Sequence, residues 1–469
     1  MTQLHQSVLK QLQQVSESIQ FMINDQRSCA SYSMYVAILL SPLLVLSFFT
    51  AQGYAKKFEL KGSSLAFSPR LSVMGLYDSN VFYEAPVEAN GGVPNHGFFS
   101  KFASGFVVEN RHKNRVDFNL GADAAYRYYW TVDDEQGRVT QAAIDARNTL
   151  DFAKANARLL IGPNSSFNLE LQDEFIYIER PVYENTLFGF QRVDNRAGAQ
   201  VSFAPGSGRN RRGPLELQLK YQLQNIKFLN DGDNLAIQGR SEKVAHITRF
   251  VTRWKFLPKN ILILDVSYTM NDYNDFQAEE GEDVPEEDLS RDSSPFRAQL
   301  GLSGLLSSRI AVFLKGGYAN TFNKAGSSFS GLIALLQVSY EYMPRFSLRI
   351  GYQRDGQDSG FSNYYILDRY FLKSTWHIAR DIRMNAMLSY DRYSYVADNA
   401  VDNQGRVDPV LRSDLKISFP LVHALRLQFG WTFEANYTDY TLPVNVPISE
   451  ATDFAQYQRH LFSIALLFN

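Results

Sequence analysis

The most regular feature of this chain is an alternation of hydrophobic and polar residues. It is clearest from Leu215 to Gln224, which reads LELQLKYQLQ. Successive side chains of a β-strand point to opposite faces, so this segment would have one apolar face and one polar face. The same alternation recurs along most of the sequence, for example over residues 116–128, 167–177, 262–270, 346–352 and 425–437. It predicts a chain built almost entirely of strands.

The connections between these strands are alternately short and long. The short ones lie near residues 110–114, 162–165, 258–260, 306–308, 343–344, 379–381 and 420–424. The long ones lie near residues 79–97, 132–141, 180–186, 225–243, 274–294, 354–362, 394–406 and 438–456. The segment 205–214 is the one exception: it stands where the alternation requires a short connection, but it is long. Short periplasmic turns and long external loops produce this alternation in membrane barrels, whereas a soluble sandwich has no reason to keep it.

We therefore predict an all-β fold, a transmembrane antiparallel up-and-down β-barrel of about eighteen strands, with sixteen as the alternative. Hydrocarbon offers no hydrogen-bond partner to a strand edge, so a membrane sheet must close on itself. The last predicted strand, 457–468, places four apolar residues on one face, the last of them Phe468. This resembles the C-terminal signature that the barrel-assembly machinery reads in bacterial outer-membrane proteins, although that signature normally ends in Phe and here Asn469 follows.

The N-terminal region differs from the rest of the chain. An apolar run of 15 residues, Tyr35–Phe49, follows Lys10 and Arg27. It is short for a bilayer helix, which needs about 20 residues. We predict that residues 1–55 are a signal peptide cleaved near Ala55, with Met22 as an alternative start, and that residues 56–469 form the barrel. An uncleaved anchor helix is the alternative.

Bulk composition narrows the function only slightly. The formal net charge is −2, which gives no indication of a nucleic-acid partner. The one cysteine, Cys29, precedes the apolar run, so the mature chain would contain no disulfide and no thiolate metal site. We find neither a Gly-x-Ser-x-Gly nor a His-Glu-x-x-His motif, and we expect no enzymatic activity and no cofactor.

The polar face of the predicted strands carries many charged residues. Placing Lys or Arg on the lipid face near the midplane would cost about 2–4 kcal/mol, so these charges are expected to face the lumen. They either pair across neighbouring strands to hold the wall or line a permeation path that selects solutes. The pore-lining candidates are Arg127, Tyr129, Glu170, Glu174, Arg196, Lys220, Arg249, Arg253, Arg349, Arg369, Arg383, Lys416, Arg426 and Glu434; Asp265 belongs to the same row.

Two further groups of residues have a candidate role in the lumen. Tyr129, Tyr365 and Phe371 are aromatic residues on inward rows, where they either contact sliding sugar rings or pack against the wall. The acidic segment 275–292 has no EF-hand pattern, so we predict a solvated external loop. If that loop folds into the lumen, it would form a negative constriction.

One short motif resembles a known family. The residues Tyr77, Asp78, Ser79, Asn80, Val81 and Phe82 follow the first predicted barrel strand. A Tyr-Asp-x-Asn-hydrophobic-Phe turn in this place resembles the opening of the β-barrel porin family of the second type, outer-membrane β-barrel proteins often linked to exopolysaccharide and exosortase gene clusters. From the residues alone, Asp78 and Asn80 either start the first external loop or contact a ligand.

The resemblance implies a channel that exports an exopolysaccharide, with polysaccharide and periplasmic export proteins as partners. A general diffusion porin for small solutes and a plugged structural or adhesive barrel are the alternatives, because fold alone does not determine function. The expected location is the outer membrane of a Gram-negative bacterium, in contact with outer-membrane lipid.

Overall fold

The computed structural model describes residues 58–59, 65–81, 96–110, 115–133, 148–178, 191–206, 213–229, 242–273, 292–359, 363–379, 381–396, 406–422, 424–438 and 456–468. The predicted signal peptide and most of the acidic segment 275–292 lie outside these residues. The strands are β1 Phe58–Glu59, β2 Leu65–Asp78, β3 His96–Asn110, β4 Val116–Asp133, β5 Thr149–Ile161, β6 Phe167–Ile178, β7 Arg192–Phe203, β8 Leu215–Phe228, β9 Lys243–Leu257, β10 Asn260–Tyr273, β11 Phe296–Leu305, β12 Ile310–Asn320, β13 Ser330–Met343, β14 Phe346–Asp358, β15 Tyr364–His377, β16 Arg383–Tyr395, β17 Val407–Val422, β18 Leu425–Asn436 and β19 Tyr457–Phe468.

Eighteen of these strands form a closed ring. From β2 to β19, each strand pairs with the next in antiparallel register, and β19 then pairs with β2. The predicted up-and-down barrel of eighteen strands is confirmed, and the alternative of sixteen is wrong. The short strand β1 pairs with β2 at Phe67 and Ala66, beyond the point where β19 ends against Leu71. No helix among the described residues is long and apolar enough to cross a membrane.

The connections at the two ends of the barrel differ in length. At one end, called here the short-turn end, β9 and β10 are joined by two residues and so are β13 and β14. The 204–214 connection lies at this end although it is long. The opposite end, called here the long-loop end, carries the long connections, and one of them was missed in the sequence: residues 321–329 join β12 to β13.

The outer face of the barrel is apolar. Leu219, on the predicted lipid face, is 52% exposed, and large exposed hydrophobic residues alternate with polar ones along the strands. Exposed aromatic residues lie towards both ends of the strands, as in the interface girdles of membrane barrels. They include Tyr268, Tyr318 and Tyr390 on the long-loop side and Phe167, Phe203, Trp254, Tyr342 and Trp376 on the short-turn side.

Contacts between strands that are not neighbours identify the inner face. Lys315 on β12 reaches Asp265 on β10 with Nζ and Oδ2 2.6 Å apart, across β11. Lys243 on β9 reaches Asp358 on β14 at 2.7 Å, five strands away. Side chains of such distant strands can meet only inside a closed ring. The polar residues of the alternation therefore face inward, and the apolar residues face outward.

Candidate functional site: the polar inner wall

Most of the predicted inward charges lie in ion pairs. Ten of them, Asp265 included, have a partner of opposite charge within 4 Å, which agrees with the wall-holding interpretation for these side chains. The pairs are Arg127–Asp151, Glu170–Arg158, Glu174–Arg196, Arg249–Asp265, Arg253–Glu216, Arg369–Asp391, Lys416–Asp414 and Glu434–Arg412.

The densest of these networks joins β15 to β18. Asp391 is fully buried and accepts hydrogen bonds from Arg369 at 2.8 Å and from Arg412 at 2.6 Å. Arg412 also contacts Glu434 at 3.1 Å, and the Tyr457 hydroxyl donates to the same carboxylate at 2.8 Å. Because each carboxylate is shared by two donors, the desolvated charges in this part of the wall compensate one another.

Four predicted inward cations differ from these paired residues because no acid in the part of the chain that the structure describes is close enough to pair with them. Lys220, Arg349, Arg383 and Arg426 form no ion pair within 4 Å among the described residues. Lys220 lines a polar wall cavity of about 340 Å³ on β5–β8, together with Asn156, Arg158, Gln172, Glu174, Arg196 and Gln222. The other three lie on β14, β16 and β18, near the short turns.

These three cations form a group with Lys373, which sequence analysis had not selected. We call Arg349, Lys373, Arg383 and Arg426 the basic patch. Each is within five residues of the short-turn end of its strand. Arg349 and Lys373 are direct cross-strand partners in the β14–β15 ladder, and both are exposed on the inner wall.

The partners of the basic patch are mostly neutral. The Arg383 Nε donates to the Nε2 atom of His377 at 3.1 Å, and the Arg426 Nε donates to the Ser418 hydroxyl at 2.9 Å. Lys373 Nζ lies 5.4 Å from the ring centroid of Phe371. Hydrogen bonds to neutral groups leave the positive charge in place, so the patch presents an uncompensated positive field to the lumen.

The acids near the patch are too few to neutralise it. Glu341, Asp381 and Asp414 lie at the same end of β13–β18, and Asp414 is already paired with Lys416 at 2.9 Å. Against these three acids stand Lys416, Arg345 in the β13–β14 turn and the four cations of the patch. A positive excess therefore remains on this side of the lumen.

The aromatic residues predicted to contact sugars are largely packed into the wall. Tyr129 is buried against Phe99, with ring centroids 4.8 Å apart. Tyr365 is buried among other aromatic residues, 5.4 Å from the ring of Tyr393. Phe371 is half-buried, and its ring covers Gly351. The two tyrosines thus present little ring face on which a sugar could stack.

The Tyr77–Phe82 motif contributes to barrel closure. Asp78 is fully buried, and its carboxylate accepts hydrogen bonds from Arg459 on β19 at 2.9 and 2.5 Å. The same carboxylate accepts the backbone N–H of Asn80 at 3.1 Å, and Asn80 donates its side-chain amide to the carbonyl of Gln458 at 3.0 Å. These residues therefore join the first and last barrel strands, a third role beside the two that the sequence left open.

The long-loop end of β14 contacts β9, β10 and β11, which lie beyond β13 in the ring. Asp355 contacts Arg297 on β11 at 2.7 Å, and the same guanidinium donates to the carbonyl of Gly356 at 2.5 Å. Asp358 accepts hydrogen bonds from Lys243 and from the Tyr273 hydroxyl at 2.7 and 3.1 Å. Because these partners lie three to five strands away, the end of β14 leans into the lumen.

The remaining chemistry of the described residues is limited. They contain no group of three or more His, Cys, Asp or Glu side chains that could hold a metal ion.

Comparison with known proteins adds only distant structural likenesses. No protein-family model matches the chain, and no curated protein matches its sequence. The crystal structure of Pseudomonas aeruginosa OccK2 (OpdF) in complex with glucuronate is similar with a TM-score of 0.47 and 12% identity, over 86% of this chain and 98% of that one. Acinetobacter baumannii OccAB3 gives 0.45 and 11%, over 86% and 99%. The P. aeruginosa outer membrane protein opdK gives 0.43 and 10%, over 86% and 98%.

Proposed function

We propose that this protein is a water-filled channel in the outer membrane of a Gram-negative bacterium, through which small hydrophilic solutes diffuse with a preference for anions. A ring of eighteen strands is wide enough to leave an aqueous lumen. The apolar outer face suits lipid, and the charged inner wall suits water. This combination supports a passage for solutes that lipid excludes.

The basic patch carries the proposed preference for anions. Like charges placed directly opposite each other on neighbouring strands destabilise a sheet. Arg349 and Lys373 are such a pair, and no described acid lies within ion-pair distance of either. An arrangement that costs stability and leaves positive charge facing water is typical of a site that attracts anions.

The structure gives the polysaccharide-export hypothesis less support than the sequence did. That hypothesis depended on the resemblance of the Tyr77–Phe82 motif and on inward aromatic residues. Asp78 and Asn80 are engaged in barrel closure, and Tyr129 and Tyr365 are packed into the wall. Diffusion of small solutes, the alternative drawn from the sequence, is therefore the function we propose.

Single-channel recording in planar bilayers tests both parts of the proposal. The purified full chain is expected to conduct, and its reversal potential in a KCl gradient is expected to show a preference for chloride. Two unit charges about 10 Å from a permeating ion contribute about 0.8 kcal/mol in water, roughly a fourfold preference. The double variant Arg349→Ala/Lys373→Ala should lose this preference at about 0.01 M salt, and both proteins should converge at 1 M, where the Debye length is about 3 Å.

The exchange variant Arg349→Lys/Lys373→Arg is the matched control, because it keeps both charges and should keep the selectivity. If the alanine variant retained the wild-type reversal potential at low salt, the basic patch would have no part in selectivity. A folded sample that does not conduct would reject the channel itself and favour a plugged structural or adhesive barrel.

A further inference from the structure

The ladder between β13 and β14 is incomplete at the long-loop end. Its last pair is Ala334 with Arg354. β13 nevertheless continues to Ser330, where it pairs with β12, and β14 continues to Asp358, where it pairs with β15. Four residues of each strand, 330–333 and 355–358, therefore have no ladder partner across this boundary. We call this gap the β13–β14 seam.

The Phe329 ring fills the seam, and Tyr364 and Ile366 of β15 pack against it. Phe329, the last residue of the β12–β13 connection, is 4% exposed and clusters with Ala319 and Ile333. A Cβ built on Gly356 of β14 would lie 2.5 Å from the ring, and one built on Gly331 of β13 would lie 3.2 Å from it. Glycine on both sides of the seam thus gives the ring its space, and no β13–β14 ladder bond crosses the seam at this point.

The inner and outer rims of the seam differ in chemistry. On the inner side, Arg297 holds Asp355 and the Gly356 carbonyl, and Lys243 holds Asp358. On the outer side, Leu332 is 75% exposed, and its ladder partner Tyr318 on β12 is also exposed. The seam therefore joins two cations, each paired with an acid of β14, to an apolar surface on the lipid side.

We propose that the β13–β14 seam is a lateral passage between the lumen and the outer leaflet for a single-chain anionic amphiphile such as a long-chain carboxylate. The gap holds one phenyl ring, which matches the cross-section of one hydrocarbon chain. Its carboxylate head replaces Asp355 or Asp358 at Arg297 and Lys243, while its tail takes the place of Phe329 and extends towards Leu332. This route goes beyond diffusion along the lumen, and it does not depend on anion selectivity.

The connection that carries Phe329 is strained at one residue and hydrogen-bonded at others. Phe322, at the start of the same connection, has a φ of +44°, a left-handed conformation that is unfavourable for phenylalanine. The connection is held to the β14–β15 connection through Asn363, whose side-chain amide donates to the carbonyls of Ala325 and Ser327 at 2.8 and 3.1 Å. Within the connection, the Thr321 N–H donates to the Phe329 carbonyl at 3.0 Å, and the Phe329 N–H donates to the Thr321 hydroxyl at 2.9 Å. The main chain at Phe329 is therefore held in place, and the ring leaves the seam by rotation of its side chain.

A disulfide across the seam tests the proposal. The double variant Phe329→Cys/Gly356→Cys joins two positions that touch, so oxidation should seal the seam and reduction should leave it without its ring. The probe is dodecanoate with a diazirine on a carbon close to the carboxylate, incorporated into phosphatidylcholine vesicles that hold the full-length protein. Adducts on the inner-wall peptide that contains Arg297 are read by mass spectrometry after illumination.

We expect inner-wall labelling to fall at least fivefold on oxidation and to return on reduction, while outer labelling near Leu332 stays constant. Phe329→Ala should raise inner labelling. Phe371→Ala is the matched control, because Phe371 covers Gly351 of β14 in the same way but within an intact ladder, and it should leave labelling unchanged.

Several results would overturn the proposal. Equal inner labelling of the oxidised and reduced double variant would show that the probe does not pass the seam. Equal labelling by a diazirine analogue of dodecanol would reject the anionic head, and labelling by a two-chain phospholipid probe would reject the single-chain ligand. Conductance is recorded on the same samples and should be similar in both redox states, so failure of the seam and failure of the channel are distinguishable.

Discussion

The contact between Asp78 and Arg459 permits a quantitative test of barrel closure. Asp78 is fully buried and makes two hydrogen bonds to Arg459, whose side chain is 19% exposed. Removing one partner of a buried pair leaves the other charge uncompensated, which costs about 3–5 kcal/mol. Because water reaches part of Arg459, we expect Asp78→Ala to lower the free energy of unfolding by about 2–4 kcal/mol.

The measurement is urea unfolding in detergent micelles, followed by the mobility shift of unheated samples on gels. Asp414→Ala is the control, because Asp414 and Lys416 form an exposed inner-wall pair whose loss should cost at most about 1 kcal/mol. Adding Arg459→Ala to Asp78→Ala should restore part of the lost free energy of unfolding, because it removes the guanidinium that Asp78→Ala leaves without its partner. If Asp78→Ala were no more harmful than Asp414→Ala, the buried pair would not hold the first and last barrel strands together.

Two other substitutions test the faces of the barrel and the packing at the seam. Leu219→Arg should destabilise the barrel by about 2–4 kcal/mol because it places a charge in lipid, whereas Lys220→Ala on the inner wall should cost far less; equal mobility shifts on heating would reject the assignment of faces. Gly356→Ala should lower the free energy of unfolding by about 1–3 kcal/mol, because its Cβ would lie 2.5 Å from the Phe329 ring. Gly316→Ala is the control: its Cβ would meet only one carbonyl oxygen, at 4.0 Å, so this variant should unfold at nearly the wild-type urea concentration. Equal unfolding midpoints would show that the ring gives way freely.

The fold could be predicted from sequence because its determinants are local and periodic. Alternation within a strand such as β8 shows which residues share a face, and the alternating connection lengths show that the strand number is even. The same logic placed Arg349, Lys220 and Arg369 on the polar row. A nine-residue connection such as 321–329 escaped notice because its Gly and Ser content resembles that of a tight turn.

The functional differences among the inward charges could not be predicted in the same way. Whether a cation is neutralised depends on the register between strands, which alternation within one strand does not contain. Arg369 is paired because Asp391 lies opposite it, and Arg349 is unpaired because Lys373 does. Other pairs skip strands altogether, as between Lys243 and Asp358, and such contacts depend on where β14 leans inward.

The role of the Asp78 motif illustrates the same limit. Its polar residues look like the start of a loop, and they do follow the last residues of β2. Their partners, however, lie about 380 positions later in the chain, at Gln458 and Arg459. Only the closed ring brings these segments together.

That separation has a consequence for the order of events during assembly. The ladder between β19 and β2 has eight residue pairs, and it joins segments at opposite ends of the barrel sequence. Neighbouring strands can pair while the rest of the polypeptide is still being delivered, but the β19–β2 ladder can form only when the whole chain is present. A barrel closed two residues out of register would separate the buried carboxylate of Asp78 from Arg459, so the pair disfavours a misaligned closure.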